Sequence, residues 1–254
     1  NDIHQLENKM RSLRLNGMLD TLNLRLSQAE KGNIGFIQFL ELLLEDETQC
    51  RANKRLASRV TKAHFDEEKS LEQFDFNFNT KIPAEYIHDL ATCRFVEQKE
   101  SIIFCGPVGV GKTHLAQALG HQACRLGYSA LFTKANRLLS DLGGGRADGT
   151  WEKRLHRYLK PNLLIIDDFA IKELTKTQGE DLYELIDQRY RSGSMIVTAN
   201  RSPKDWYPLF PNPVIAESAL DRLLSCSHII TLTGKSYRSL LRPDKALEKE
   251  VVTV

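Results

Sequence analysis

Apolar positions divide the chain into two textures. Up to about residue 75 glycine is scarce and the apolar spacing is helical, with Leu15, Met18, Leu19, Leu22 and Leu26 on the i, i+3, i+4, i+7 rule of an amphipathic helix. The break EKGNIG interrupts that segment, and a second helix is expected from about Phe36 to Ala63, with Phe36, Ile37, Phe39, Leu40, Leu43 and Leu44 as its apolar positions. From about residue 100 the pattern turns to short, uninterrupted apolar runs: SIIFC (101–105), ALFT (130–133), LLIID (163–167), MIVTA (195–199) and HIITLT (228–233). Runs without polar alternation suit strands buried on both faces, and the helical stretches between them predict an α/β fold built on a five-stranded parallel sheet. Between the two textures, EQFDFNFNTKIPAEYIHDL alternates aromatic and polar residues at Phe74, Phe76 and Phe78 before Pro83, the pattern of a half-buried extended segment, with a base-stacking platform as the alternative reading. The expected organisation is a small all-helical domain over 1–75, a linker over 76–98, an α/β domain over 99–244 and a tail over 245–254.

Charge changes this picture only locally. Thirty-five Lys and Arg against 33 Asp and Glu in 254 residues leave a formal charge of +2, so a nucleic-acid surface has to come from clustering. Residues 1–80 hold 11 basic and 13 acidic side chains, and the helical domain reads equally as a docking module or a structural cap on the larger domain. The segment KANRLLSDLGGGRADGTWEKRLHRYLK differs: Lys134, Arg137, Arg146, Lys153, Arg154, Arg157 and Lys160 face only Asp141, Asp148 and Glu152, with Gly143, Gly144 and Gly145 as an expected hinge. No apolar run approaches the roughly 20 residues that span a bilayer. The opening NDIHQLENKMRSLRL has no apolar signal core, and the five cysteines form no CxxC pair, so isolated thiols in a cytoplasmic protein are expected.

The chemistry is concentrated after the first apolar run. Gly106-Pro107-Val108-Gly109-Val110-Gly111-Lys112-Thr113, followed by His114 and a helical stretch, is the G-x-x-x-x-G-K-[ST] phosphate loop between a strand and a helix. Its glycines let backbone N–H groups converge on phosphate oxygens, and the helix beginning near Lys112 adds its positive end. Lys112 is expected on the β- and γ-phosphates of ATP and the Thr113 hydroxyl on Mg²⁺. LLIIDD delivers Asp167 and Asp168 at the end of a buried strand, where ligands of such sheets bind. Asp167 is assigned to Mg²⁺, and Asp168 to the general base or water-orienting role. Asn200, at the end of MIVTAN, is expected to polarise the attacking water or sense the γ-phosphate.

In order, GPVGVGKT, LLIIDD, TAN and ALDRLLSCSHIITLTGKSYR resemble an AAA+ ATPase of the initiator and helicase-loader branch, similar to DnaA and DnaC. With LRLNGMLDTL, FLELLLEDETQCRANKRL and FDFNFN added, the chain resembles the IstB-like ATP-binding proteins of bacterial insertion sequences over nearly its whole length. That resemblance implies a phosphate-loop AAA+ sandwich behind a small helical domain. It implies sensor 1 at Asn200, an arginine finger acting on a neighbouring subunit at Arg222, and a sensor 2 arginine acting in cis at Arg238. Many relatives carry Glu where Asp168 stands, which implies slow basal turnover. In the initiator branch the basic insert faces nucleic acid inside a spiral assembly, which implies DNA contacts from Lys134, Arg137, Arg146, Lys153, Arg154 and Arg157. The function implied is a transposition helper that oligomerises with ATP on duplex DNA and works with the transposase of its element. A DnaC-like helicase loader is the alternative. A small-molecule kinase and a nucleotide-gated scaffold that hardly hydrolyses ATP are the readings from other classes.

Overall fold

The computed structural model describes residues 2–32, 34–79 and 82–238, so the expected tail at 245–254 lies outside the described residues. The chain divides into two compact units, Asn1–Ser58 and Arg59–Val254. In the first, α1 (Asp2–Ser12), α2 (Asn16–Gly32) and the greater part of α3 (Phe36–Ala63) enclose a small core of Met10, Met18, Leu22 and Leu43. α2 has no acidic residue in its own first turn, and Glu47 of α3 supplies the charge, accepting from Gly17 N at 2.7 Å and Met18 N at 3.2 Å. A carboxylate at the positive end of a helix satisfies donors that have no intrahelical partner. Of the apolar positions expected to bury α3, Leu43 is buried and Phe39 partly so, whereas Phe36, Ile37, Leu40 and Leu44 are exposed.

The second unit continues through α4 (Ala84–Leu90), α5 (Arg94–Glu97), β1 (Ser101–Cys105), α6 (Lys112–Arg125) and β2 (Ala130–Lys134). There follow α7 (Ala135–Asp148), α8 (Trp151–Leu159), β3 (Leu163–Phe169), α9 (Lys176–Arg189), β4 (Ser194–Ala199), α10 (Pro213–Ser225) and β5 (Ser227–Thr231). All five strands run parallel in the order β2-β3-β4-β1-β5. β1 and β4 are wholly buried, as their unbroken apolar runs require, while the edge strand β5 is partly exposed. Ile103, Leu164, Ile166, Leu185, Val197 and Leu220 belong to one core joining the sheet to α9 and α10. The connection from β1 runs to β2 and that from its neighbour β4 runs to β5, in opposite directions, which opens a crevice at their carboxyl ends, where the phosphate loop begins.

Two expectations need correction. Residues 74–79 form no strand, and 76–79 are turns: Asp75 Oδ1 accepts from Asn77 N at 2.9 Å and Phe78 N at 3.1 Å and curls the segment. The aromatic alternation still marks the half-buried side, because Phe74, Phe76 and Phe78 are each more covered than the residues between them. The glycine triplet is not a hinge. α7 runs unbroken through it, and a Cβ on Gly145 would stand 2.8 Å from Trp151 Cα, so the small residues allow α8 to approach α7 closely.

Candidate nucleotide site

The loop after β1 forms because glycine occupies the positions where φ is positive: 145° at Gly106, 86° at Gly109 and 103° at Gly111. At Gly106 a Cβ would come within 2.1 Å of Leu232 O, so the loop also packs against backbone following β5. Gly111 caps α6 without any side-chain hydrogen bond, which leaves the first N–H groups of that helix for an anion. Lys112, 7% exposed, folds its Nζ back onto Gly106 O at 2.8 Å and Pro107 O at 2.7 Å. Burial pushes its pKa down, against the pull of Asp167 and Asp168.

Thr113 Oγ1 donates to Asp167 Oδ1 at 2.8 Å, and Thr198 Oγ1 donates to the same oxygen at 2.5 Å. Burial raises the Asp167 pKa, and both hydroxyls oppose that rise. Thr198 also accepts from Asp168 N at 3.1 Å. The strand register shifts between Ile166 and Phe169, and Asp168 takes φ +57°. Alternation along a regular strand would send adjacent carboxylates to opposite faces, and this bulge overrides it. Asp167 then reaches Thr113 while Asp168 lines the cavity beside the loop, and both act on the Lys112 ammonium. A hydroxyl and a carboxylate in contact are a hard oxygen pair that fits Mg²⁺, an ion that keeps most of its shell as water and phosphate oxygen.

That cavity, about 340 Å³, is bounded by the loop from Val108 to His114 and by Asp168, Asn200 and Arg238. Gly106, Pro107 and Asp167 are attached to it through Lys112 and Thr113. The remaining wall mixes apolar side chains (Phe74, Phe78, Ile82, Tyr237) with polar ones that include Glu67, Lys69 and Asn79, none of them assigned as site residues from the sequence. Phe74 meets His114 edge-on at 5.2 Å and Phe78 meets Tyr237 at 5.1 Å. The FDFNFN alternation was the signal for this wall, and the TAN tripeptide was the signal for Thr198.

His114 and His121 on α6 hold the segment leading to this wall, through Nε2 contacts to Ser70 O at 2.9 Å and Glu67 O at 3.3 Å. Burial lowers both imidazole pKa values below the ordinary 6.5, with Lys69 adding to the effect at His114 and Arg125 at His121. The unfolded chain therefore binds protons that the folded chain refuses. Their stability contribution is complete above pH 6.5 and is lost as pH falls toward the depressed folded values. The thermal midpoint is expected to fall between about pH 7.5 and 5.5, and less steeply in a His114→Gln/His121→Gln variant. Equal slopes in the two proteins would contradict this.

The other assigned residues lie elsewhere. Arg222 on α10 pairs with Asp187 at 2.8 Å, bonds Ser218 and covers the Tyr183 ring at 5.7 Å. In the basic insert, Arg146 pairs at 2.7 Å with Asp181, which is fully buried and also accepts from Trp151 Nε1 at 2.8 Å. Arg154 is held by Asp141 and Asp148, Arg157 by Asp141, and Lys134 lies 3.7 Å from Asp66. Among the described residues, Arg137, Lys153 and Lys160 are exposed and have no ion-pair partner on the chain. No described helix is long and apolar enough to cross a membrane.

A phosphate loop, a buried carboxylate joined to its threonine, and a parallel sheet of order 2-3-4-1-5 make a phosphate-loop nucleotide-binding domain with the fold of AAA+ proteins. Among solved structures, AMPPCP-bound DnaA from Aquifex aeolicus superposes with a TM-score of 0.57 at 18% identity, covering 74% of this chain and 56% of that one. The DnaC helicase loader gives 0.54 at 23%, covering 67% and 97%. At these identities the likeness is one of fold, and the chain spans little more than half of the DnaA chain. The model of the IstB-like ATP binding protein family matches residues 8–244, and the chain belongs to that family. An insertion-sequence ATP-binding protein of Mycobacterium tuberculosis is 49% identical over 94% of this chain and 96% of its own. The IS21 ATP-binding protein of Pseudomonas aeruginosa is 34% identical over 93% and 89%.

Proposed function

We propose that this chain is an ATP-hydrolysing helper of transposition, which oligomerises with ATP on duplex DNA and assists the transposase of its element in selecting and remodelling target DNA. The observation that carries the ATPase reading is the chain of contacts from Lys112 through the phosphate loop to Thr113, Asp167 and Thr198. Lys112 exchanges its two loop carbonyls for β- and γ-phosphate oxygens. Thr113 and Asp167 would hold Mg²⁺, which would neutralise charge on the phosphates. Asp168 orients a water and takes its proton as that water attacks the γ-phosphorus, the β–γ bond breaks and ADP leaves. Asn200 positions the same water, and Arg238 meets the γ-phosphate in cis. Arg222 acts in trans by exchanging Asp187 for the phosphate of a neighbouring subunit, which makes ATP part of the subunit contact.

Arg137, Lys153 and Lys160, exposed and without an ion pair among the described residues, are the cations that support backbone binding to DNA. Contacts of this kind grip phosphates without reading bases. Sedimentation with ATP, with and without a long duplex, and with phosphate release followed in parallel, tests the reading. The expected result is a large assembly formed only with nucleotide and DNA, with raised turnover. In an Arg137→Glu/Lys153→Glu variant the salt slope of DNA binding should shrink by about two, one for each lost phosphate contact. A monomer whose hydrolysis ignores DNA would overturn it.

A further inference from the structure

The fold leaves two apolar surfaces uncovered, one convex and one concave. The convex one is the first part of α3, where Phe36, Ile37, Leu40 and Leu44 are 91%, 77%, 55% and 56% exposed. At 3.6 residues per turn these four positions share one side of the helix, and the exposed Glu41 and Glu45 come next around it. A contiguous apolar patch with a polar border marks a surface that something else covers.

The concave one is a second cavity, of about 360 Å³, beyond the ends of β2 and β3. Leu138, Leu139, Phe169, Leu182, Trp206 and Phe210 make most of its apolar lining. An apolar cavity of about 150 Å³ already holds a benzene ring, so an aromatic side chain has room here. Ile171 lines the cavity while 55% exposed, which places it at the opening. Two cations also line it: Lys134, 3.7 Å from Asp66, and the exposed Lys172, which has no ion pair among the described residues. Asp168 borders both this cavity and the nucleotide cavity and is therefore a wall common to the two. Left-handed backbone at Asp168 (φ 57°) and Ala170 (φ 61°) shapes that wall, a conformation that costs energy at residues other than glycine.

We propose that these surfaces cover each other between copies of this chain: Phe36 of one subunit enters the apolar cavity of the next, and Ile37 packs at its opening against Ile171. This contact rests on the reading of the chain as one that assembles with ATP on DNA. Charge favours a second copy as the occupant, because the acids Glu41 and Glu45 border the convex face and Lys134 and Lys172 line the concave one. A contact between unlike surfaces is heterologous and propagates from head to tail. The seated ring lies against the wall that Asp168 forms, so assembly steadies the residue assigned to the attacking water and turnover depends on the neighbour.

Two variants test it. Phe36→Ser/Ile37→Ser removes the convex half, and Ile171→Asp sets a carboxylate at the opening against Glu41 and Glu45. All three positions are exposed, so each variant should keep the wild-type thermal midpoint and the wild-type affinity of dilute protein for Mg·ATP. In sedimentation with ATP and a long duplex, each should assemble only at about tenfold higher protein concentration or more, with phosphate release reduced alike. Ile171→Asp copies keep Phe36 and the serine copies keep the cavity, so an equal mixture should recover roughly a quarter of the contacts. Variants that assemble and turn over like a wild type that itself assembles refute this contact alone. Loss in the serine variant without loss in Ile171→Asp means that α3 meets another surface or another protein, and overturns the proposal. A mixture without recovery overturns it too. Wild type that never assembles refutes the assembly reading and this contact together.

Discussion

Replacing Lys112 by alanine is expected to cut ATP hydrolysis about 10²–10³-fold, the usual loss when one preorganised charged donor is removed from a transferring phosphoryl group. Burial depresses the Lys112 pKa, so the charged form is disfavoured in the folded protein, while its bonds to Gly106 O and Pro107 O offset part of that cost. The rise in thermal midpoint on adding ATP should vanish in the variant. Phosphate release and melting curves with and without ATP read both effects. Undiminished turnover would show that the loop does not serve hydrolysis. Mixing adds a test of geometry. Lys112→Ala subunits keep Arg222, and Arg222→Ala subunits keep an intact loop, so each alone is inactive. An equal mixture should recover roughly a quarter of the productive interfaces if Arg222 acts across subunits in a head-to-tail assembly. No recovery would place the role of Arg222 within its own subunit, where it already meets Asp187.

Arg189→Leu is expected to cost about 3–5 kcal/mol of stability, the range for stripping a buried charged group from its partners. Arg189 ends α9 at 1% exposure and donates to five carbonyls: Tyr158 at 2.9 Å, Leu159 at 3.1 Å, Pro161 at 3.1 Å, Asn162 at 3.2 Å and Ser194 at 2.6 Å. Burial pushes its pKa down to about 10, so it stays a cation at neutral pH. Its acceptors are the last carbonyls of α8, the turn into β3 and the first residue of β4, so one guanidinium ties the basic insert to the strands that carry Asp167 and Thr198. Gly193 makes room, since a Cβ there would stand 2.7 Å from Nη2. Leucine fills much of the volume but leaves those carbonyls unpaired. For a chain of this size the loss corresponds to a midpoint about 10 °C lower. Arg189→Lys should fall between, because three donors on one nitrogen cannot span the same arc. A leucine variant as stable as wild type in thermal and denaturant unfolding would refute the account.

What was legible before folding is what depends on near neighbours in the chain. GPVGVGKT declares itself because phosphate binding uses consecutive backbone N–H groups, and the helix from Phe36 to Ala63 follows from local spacing. LLIIDD was legible as a buried strand with acids at its end. That both acids come beside Lys112 was not implied by the period of two; it follows from the bulge at Asp168. The segment FDFNFN was read as extended because alternation is the same whether the chain is straight or turned. His114 and Tyr237, its partners, come 40 and 159 residues after Phe74 and Phe78 respectively.

The basic insert shows the same division. Counting charges finds seven cations against three acids over 134–160, but it cannot show that Asp181, outside that window, takes up Arg146, or that Asp141 and Asp148 hold Arg154. The glycine triplet suggests flexibility until Trp151 is seen packed against Gly145. The sequence by itself determined the order of elements, the phosphate loop and the family pattern, since each is written in spacings of a few residues. Only the tertiary structure decided which charges are paired within the chain, and which glycine is a contact and not a hinge. Those outcomes depend on groups brought together by chain closure, where burial and pairing, and not position along the chain, set the energy.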